Sequence, residues 1–352
     1  MCHKKTKMNQ SNWKTLVPAA KHNAVENALL GAFGSTEIDH IAPLTGGRSS
    51  ALVYKVTAEN KPYVIRLVTE IDALTDPNRH FICLNAAARQ GIAPPVRYTN
   101  AQDAVSIVDF IEHAPLSTSF TTQEQLLGEL ASLVKATHSL PLFPPLVGFL
   151  DGVESLIERY KTLGVLPPAV LEEHFRYYEA IQLAYPRHDT NLVASHNDLN
   201  PTNILHNNGK IWLIDWEAAF ANDRYVDLAL VNIFFGAGEY GEEILLGNYF
   251  GDSLNDYHRA RFFLMRQVCF MYVAMLFMHL VSVFRKPDSI LDAGMKTISF
   301  PELQSQLQNG KFMMVSADDH LLFAKVVLNQ SLSQMKTPRF NESLDIVVSQ
   351  TS

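Results

Sequence analysis

Hydrophobic residues follow two different patterns along the chain. Between residues 38 and 111, short apolar runs alternate with turn-forming residues, which is typical of strands joined by tight connections. From about residue 121 onward, apolar residues recur every three or four positions, as on one face of an amphipathic helix. The sequence therefore predicts an α+β protein with a small, mainly β part and a larger, mainly α part.

The same pattern divides the chain into three predicted segments. Residues 1–37 form an N-terminal segment with a short helix that stops at Gly34, residues 38–111 form the β part, and residues 112–352 form the α part. A chain of 352 residues is too long for one small core, which also favours two lobes.

Individual elements can be placed in both parts. In the β part we predict strands at 51–56 and 63–68 with a turn at 60–62 and a helix at about 78–90; residues 105–112 form the last strand and the hinge between the lobes. In the α part we predict the following elements: a helix that starts near 121–124, helices at about 153–163 and 168–184, helices near 302–309 and 317–335, and a polar C-terminal tail.

One apolar run raises the question of a membrane. No residue from Gln267 to Phe284 is charged, and this run approaches the length of a membrane span. The run also contains Tyr272, His279 and Ser282, and arginines flank it on both sides. These polar groups favour a buried helix of a mainly helical lobe over a span.

Composition excludes several other classes of protein. The net charge is −7 and no run of Lys or Arg forms a basic patch, so we expect no nucleic-acid partner. Cys2, Cys83 and Cys269 are far apart and odd in number, which favours a reducing compartment and no structural zinc. The basic N-terminus is not followed by an apolar segment, so it is not typical of a secretory signal. We therefore expect a cytoplasmic protein.

The stretch 194–230 contains two acidic centres at a fixed spacing. The first is His196-x-Asp198-x-x-x-x-Asn203, and the second is Asp215 at the end of a short apolar run. Between them, Asn-Asn-Gly at 207–209 predicts a tight hairpin turn. A hairpin with an oxygen ligand at each end can hold one divalent cation against a phosphate chain, which is what phosphoryl transfer needs.

These residues resemble the catalytic and metal loops of the aminoglycoside phosphotransferase and choline kinase superfamily. H-N-D-L-x-x-x-N followed by I-D-W-E is closer to the choline/ethanolamine kinase branch than to the antibiotic kinases. The resemblance covers about residues 40 to 285. It implies a two-lobed, protein-kinase-like fold whose N-lobe binds ATP and whose C-lobe carries the catalytic loop, with Mg²⁺ as the second cofactor.

The resemblance also implies roles for five residues. Asp198 accepts a hydrogen bond from the acceptor hydroxyl, and His196 holds Asp198 in place within the catalytic group. Asn203 and Asp215 supply oxygen ligands to Mg²⁺. Asp227 is structural and accepts backbone N–H bonds from the catalytic loop.

The nucleotide site implied by the resemblance lies in the β part. Arg66, at the centre of a strand, binds the α- and β-phosphates and belongs to the catalytic set. The main chain from Asp109 to Ile111 binds the adenine. The glycine-rich turn that approaches the phosphates contributes four residues: Gly46, Gly47, Ser49 and Ser50.

Two features depart from the family pattern. Related kinases carry a Glu in the helix after the cation-bearing strand, but this chain has no acidic residue there; the position falls near His80 or Ile82. Either Glu70 or Asp76 takes its place, or the strand arginine is held by phosphate alone. Protein kinases also have a Lys two residues after the catalytic Asp, where this chain has Asn200.

The acceptor implied by the resemblance is a small, cationic metabolite. Acidic and aromatic side chains suit such a molecule because a quaternary or protonated amine is attracted to both. The candidate residues for the pocket are Glu217, Trp216, Tyr225, Tyr240 and Tyr272. Choline- or ethanolamine-type alcohols come first, aminoglycosides or other small molecules second. The alternative of another class is a pseudokinase that binds nucleotide as a scaffold, which the missing helix Glu favours.

Overall fold

The computed structural model describes residues 13–44, 51–114, 116–187, 191–236, 238–285, 293–308 and 310–351. Internal contacts divide the chain into two compact units. Unit 1 runs up to Ser119 and also includes Ser139–Leu146 and Thr202–Phe220. Unit 2 includes Phe120–His138, Val147–Pro201 and the chain from Ala221 onward. The lobe boundaries given above from sequence stay a prediction.

The described residues form strands and helices in the following order. The strands are β1 His40–Pro43, β2 Leu52–Ala58, β3 Lys61–Leu67, β4 Val96–Asn100, β5 Val105–Asp109, β6 Val193–Ser195, β7 Ile204–Asn207, β8 Lys210–Leu213 and β9 Phe220–Asn222. The helices are α1 His22–Phe33, α2 Pro77–Arg89, α3 Leu116–Ser119, α4 Gln123–His138, α5 Phe149–Leu163, α6 Glu172–Ala184, α7 Arg224–Phe235, α8 Gly238–Phe250, α9 Asp256–Phe284, α10 Phe300–Gln308, α11 Ala317–Met335 and α12 Pro338–Thr351.

Unit 1 is built on a five-stranded antiparallel sheet with the strand order β1-β2-β3-β5-β4. Alternate residues of β3 are buried, as expected of a strand with one face on a core. The apolar face of α1 packs on this core, which contains Leu29, Val56, Ile65 and Ile107. The helix ends where Gly34 adopts φ +71°, so the stop predicted at Gly34 is confirmed.

The hairpin of β7 and β8 carries the second half of the sequence motif. Ile204 pairs with Leu213 and Asn207 with Lys210, so the two strands are in register along their length. Asn208 and Gly209 adopt φ values of 49° and 76°, and positive φ at both central residues is the requirement of a type I′ turn. The predicted tight hairpin turn is confirmed.

The helix α9 is the central element of unit 2. It contacts α5, α7, α11 and α12, and most of its side chains are buried. By length and composition α9 is the one described helix that could cross a membrane, but 61% of its most apolar window is buried inside the protein. The predicted helix is confirmed, and the preference for a core helix over a span stays a prediction that this packing supports.

The C-terminal polar tail predicted from the sequence is wrong, because this segment is the helix α12. Phe340, Ser343 and Val347 recur at helical spacing and are buried. The ring of Phe340 packs edge-on against Tyr177 at a centroid distance of 5.2 Å. The pattern is hard to recognise because only two of these three buried positions are apolar. Within the predicted strand and hinge at 105–112, the strand ends at Asp109, and residues 110–112 stay the predicted hinge.

Candidate active site

The two predicted magnesium ligands flank the same end of the β7–β8 hairpin in unit 1. Asn203 precedes β7, and its carbonyl accepts a hydrogen bond of 3.0 Å from the N–H of Ile214, which follows β8. Asp215 is the residue after Ile214. The hydrogen bonds between β7 and β8 therefore fix the main chain of Asp215 relative to that of Asn203.

Asp215 has the properties expected of a metal ligand. Its φ of 61° lies in the left-handed region, which is uncommon for residues other than glycine and is concentrated at functional sites. Its buried Oδ1 atom accepts no hydrogen bond from the described residues. A buried carboxylate oxygen that accepts no well-aligned hydrogen bond suits a hard cation such as Mg²⁺, and the amide of Asn203 adds a neutral oxygen of the same class. The residues present therefore fit the ion.

Among the described residues, the predicted metal ligands are not part of a larger cluster of metal-binding side chains. Within the described part of the chain, no three His, Cys, Asp or Glu side chains form a group that could hold a metal ion. Mg²⁺ is bound in phosphoryl-transfer sites by one or two carboxylates together with water and substrate phosphates, so a sparse donor set is what this chemistry uses.

Arg66 forms ion pairs with two carboxylates of the segment after β8. Its Nη1 atom lies 3.2 Å from Oδ1 of Asp215, and its Nη2 atom donates to Oε2 of Glu217. The side chains of Arg66 and Glu217 are each 15% exposed. The strand arginine thus lies beside the candidate metal ligand, as a phosphate-binding cation must.

The partner of Arg66 corrects the expectation from sequence. We expected Glu70, Asp76 or phosphate alone to hold the arginine. Glu70 is exposed, and Asp76 instead caps the start of α2 by accepting from the N–H of Asn78. The observed carboxylate comes from Glu217, which is 151 positions from Arg66 in sequence, so no local pattern could have identified it.

The helix α2 contributes a cation to the same segment, and the sequence analysis missed it. The guanidinium of Arg79 donates to the carbonyls of Glu217 at 2.9 Å and Ala219 at 2.5 Å. It also donates to the carbonyl of Leu74. Arg79 is 4% exposed, and burial lowers its pKa despite the acidic groups around it. The available signal was an arginine among the mainly apolar residues of the buried face of the helix.

His80 stands near the position where related kinases carry the helix Glu. It is 2% exposed, and burial together with the charges of Arg66 and Arg79 lowers its pKa to about 3. The imidazole is therefore neutral at physiological pH. The side chain at this place in α2 offers Arg66 no negative charge.

In unit 2, Asp227 holds the loop that contains the catalytic motif. Its Oδ2 atom accepts from the N–H of His196 at 2.9 Å, and its Oδ1 atom accepts from the N–H of Asn197 at 2.8 Å. Asp227 is fully buried, which alone would raise its pKa, but the hydrogen bond and charge of His138 lower it below its ordinary value. The loop is thus fixed through its main chain by an ionised carboxylate.

His138 is a second residue that sequence reasoning missed. It is the last residue of α4, and its Nε2 atom lies 3.1 Å from Oδ2 of Asp227 while its Nδ1 atom lies 2.7 Å from the hydroxyl of Tyr249. This arrangement satisfies both ring nitrogens and places a polarisable group beside a buried charge. A single histidine at a helix end gives no signal of this role in the sequence.

Asp198 belongs to the same loop and is less buried than its neighbours. The side-chain amide of Asn200 donates to its Oδ1 atom at 2.9 Å. The preceding residue, Asn197, accepts from the side chain of Asn222 at 2.7 Å. Asp198 belongs to unit 2 whereas Asn203 and Asp215 belong to unit 1. That all three meet around one cation stays a prediction.

The aromatic candidates for the acceptor pocket have different surroundings. Trp216 is fully buried and donates to a main-chain carbonyl, so its ring has no exposed surface for an acceptor. Tyr225 is buried, and Tyr240 is 64% exposed. Burial and the charge of Asp198 raise the pKa of Tyr272 above its ordinary value. Tyr272 therefore lies within electrostatic range of the predicted catalytic residue.

The predicted adenine-binding segment follows β5. The carboxylate of Asp109 is bound by Arg97 through two hydrogen bonds of 2.6 and 2.8 Å, so it is not available to a ligand. The N–H and C=O groups of Ile111 have no hydrogen-bond partner among the described residues. The predicted phosphate turn, with Gly46, Gly47, Ser49 and Ser50, lies outside the described residues.

A β-sheet unit with an arginine beside a metal-type aspartate, and a helical unit with an anchored H-x-D loop, are the parts of a kinase-like phosphotransferase. The sequence profile of the phosphotransferase enzyme family matches residues 40–263. The chain belongs to this family. No curated protein matches the chain in sequence.

Solved structures show the same fold. A choline/ethanolamine kinase family protein from Mesorhizobium loti is 18% identical, with a TM-score of 0.64 over 94% of this chain and 99% of its own. A choline kinase from Cryptosporidium parvum is 12% identical, with a TM-score of 0.62 over 88% and 92%. A spectinomycin phosphotransferase in complex with ADP and spectinomycin is 14% identical, with a TM-score of 0.54 over 90% and 98%. The predicted α+β, kinase-like fold and the resemblance to this superfamily are confirmed.

Proposed function

We propose that this protein transfers the γ-phosphate of ATP to a hydroxyl group of a small, cationic metabolite, with choline- or ethanolamine-type amino alcohols as the first candidates. The observation that carries the proposal is the pairing of Arg66 with Asp215 at the end of the β7–β8 hairpin. It joins a phosphate-binding cation to a buried carboxylate oxygen that accepts no hydrogen bond of good geometry from the described residues. The family membership gives this pair its chemical context.

The nucleotide is held by groups that are available in unit 1. The main chain of Ile111 offers adenine a donor and an acceptor without competing partners among the described residues. Arg66 binds the phosphates, and Asn203 and Asp215 hold Mg²⁺, which neutralises charge on the phosphoryl oxygens. Two of the structural neighbours support the use of ATP, since one was solved with ADP and the other, the choline kinase LicA, with AMP.

The acceptor is oriented by the catalytic loop. Asp198 accepts a hydrogen bond from the acceptor hydroxyl, and Asn200 limits the rotation of this carboxylate by donating to one of its oxygens. Phosphoryl transfer has a loose transition state, so alignment of the hydroxyl contributes more than removal of its proton. The two bonds from Asp227 to the loop main chain preserve this alignment.

A cationic acceptor is favoured by the groups near Asp198. The carboxylate of Asp198 supplies negative charge that attracts an ammonium group, and Tyr272 stays the predicted aromatic residue of the pocket. Aminoglycosides are the second class of acceptor, because they also carry ammonium groups and hydroxyls. The scaffold alternative rested on the missing partner of Arg66, and the structure provides two partners for this arginine.

The experiment that tests the proposal is a transfer assay with γ-labelled ATP, Mg²⁺ and a panel of amino alcohols and aminoglycosides. We expect label transfer by the wild-type protein and loss of transfer in Asp198→Asn, with nucleotide affinity nearly unchanged because the substituted residue faces the acceptor. Glu129→Gln, on the surface of α4, is the control and should transfer normally. Absence of transfer to every acceptor, or full activity of Asp198→Asn, would contradict the proposal.

A further inference from the structure

Arg66 is paired with two carboxylates at the proposed nucleotide site. In the structure its Nη1 atom is paired with Oδ1 of Asp215 and its Nη2 atom with Glu217. The same Oδ1 atom accepts no hydrogen bond among the described residues beyond this ion pair, and it is the oxygen that suits the cation. Asp215 cannot offer this oxygen to the metal and to Arg66 at full strength, whereas Glu217 can keep its contact with the other side of the guanidinium.

The helix α2 holds the main chain around Glu217 but has no acidic side chain of its own to pair with Arg66. Arg79 holds the carbonyls of Glu217 and Ala219, so the helix fixes the main chain of the segment that carries the carboxylate. The thiol of Cys83 lies 3.6 Å from the carbonyl of Ala219 and is fully buried. The helix thus holds the segment through its main chain and contributes no acidic group to the strand arginine.

We propose that Glu217 is the positioning residue for Arg66. It acts from the segment that also bears the metal aspartate and takes over the task that a helix Glu performs in related kinases. This inference rests on the proposed function, because it assumes that Arg66 binds nucleotide phosphate. It reassigns Glu217 from the acceptor pocket, where the sequence analysis placed it, to the nucleotide site.

This arrangement predicts how the activity of a Glu217 variant depends on the concentration of Mg²⁺. Without Glu217, the ion pair between Arg66 and Asp215 remains and competes directly with the cation for Oδ1. Loss of Glu217 should therefore weaken binding of the magnesium–nucleotide complex and raise the Mg²⁺ concentration needed for half-maximal activity. The KM for the acceptor should not change, because the acceptor is oriented by residues of unit 2.

The test is a double-mutant cycle on nucleotide affinity, measured by calorimetry with magnesium and a non-hydrolysable ATP analogue. The four proteins are the wild type, Glu217→Gln, Arg66→Met and the double variant. Glu217→Gln should bind roughly tenfold or more weakly, the loss expected for a charge-assisted hydrogen bond. In the Arg66→Met background the same substitution should have little further effect, since the group it positions is gone.

Two additional variants test whether the loss of affinity comes from the loss of a carboxylate beside Arg66 or from the loss of any nearby negative charge. Glu70→Gln removes an exposed carboxylate from the chain just after β3 and should leave affinity unchanged. His80→Glu, combined with Glu217→Gln, returns a carboxylate to the helix beside Arg66 and should restore part of the lost affinity. Unfolding curves establish that each variant is folded before its affinity is compared.

The outcomes are distinct. Wild-type affinity of Glu217→Gln, additive losses in the cycle, an equal loss in Glu70→Gln, or a raised acceptor KM with unchanged nucleotide affinity would each overturn the inference. A wild-type protein that binds no nucleotide would instead refute the proposed function. Non-additive losses with a raised Mg²⁺ requirement support the assignment of Glu217.

Discussion

At the scale of single residues, the chemistry of the site depends on charges that are buried close to one another. Arg66, Arg79, Asp215 and Glu217 lie in one small region of unit 1, where two cations and two carboxylates compensate each other. His80 lies beside both arginines and remains neutral because protonation would add a third positive charge to a buried site. The pKa of His80 is low because of burial and the nearby positive charges, so its titration reports on those charges.

His80 should make the stability of the protein depend on pH. Its pKa is about 3 in the folded protein and 6.5 in the reference state. Between these values the unfolded chain binds the proton and the folded protein does not, so stability falls as the pH drops from 6.5 towards 3, by at most about 1.4 kcal/mol per pH unit. The free energy of unfolding in urea, measured from pH 7 to pH 4, should fall less steeply for His80→Asn than for the wild type.

An exposed histidine provides the comparison. His40 lies in β1 and is solvent-exposed, so His40→Gln should keep the slope of the wild type. If His80→Asn and the wild type show parallel curves over this range, His80 is protonated or solvated in the folded protein, and the charge arrangement around Arg66 is different from that described.

At the scale of elements, the sequence predicts well those features whose cause is local. The β7–β8 turn depends on Asn208 and Gly209 at adjacent positions, and the end of α1 depends on Gly34. The spacing of Asp198, Asn203 and Asp215 likewise identified the motif without coordinates. The ion pair between Arg66 and Glu217 and the hydrogen bond between His138 and Asp227 depend on tertiary contact, so no periodicity or turn signal could reveal them.

Substitution of Arg79 should remove the hydrogen bonds that attach α2 to the segment after β8. Arg79→Met deletes one buried and two partly buried hydrogen bonds from a guanidinium to main-chain carbonyls. We expect the free energy of unfolding to fall by about 2–3 kcal/mol, the range for a buried, charge-assisted interaction. Affinity for the magnesium–nucleotide complex should fall as well, because Glu217 and Asp215 lose their support.

The matched control is in the same helix. Arg89 is the last residue of α2, is exposed, and hydrogen-bonds only the carbonyl of Asn85 within its own helix among the described contacts. Arg89→Met should change stability by less than about 0.5 kcal/mol. Equal effects of the two substitutions would show that the bonds of Arg79 to the segment after β8 contribute little.

At the scale of the whole molecule, the division into a mainly β and a mainly α part follows from the hydrophobic pattern, but the boundaries of the compact units do not. The segment Thr202–Phe220 follows the catalytic loop in sequence, yet it belongs to unit 1 with the sheet. The reason is tertiary: Leu213 donates to the carbonyl of Ile92, and Arg79 holds the residues after β8. The two predicted metal ligands therefore share a unit with Arg66 and not with Asp198, which linear order alone could not show.

The stability of unit 2 should depend on one buried acidic residue that connects three helices. Glu242 of α8 is 1% exposed and pairs with Arg266 of α9 at 2.8 Å and with Arg339 of α12. These contacts explain how α9 accommodates an arginine at a buried position and how α12 docks beside it. Glu242→Gln removes the charge that compensates Arg266 and should lower the free energy of unfolding by about 3–5 kcal/mol, the cost of leaving a buried ion unpaired.

The adjacent Glu243 pairs with Arg259 at a half-exposed position, so Glu243→Gln should cost less than about 1 kcal/mol. Thermal and urea unfolding of the two variants provide the comparison, and equal effects would mean that the ion pairs of α9 and α12 are solvated and that the packing of α12 rests on its apolar contacts instead.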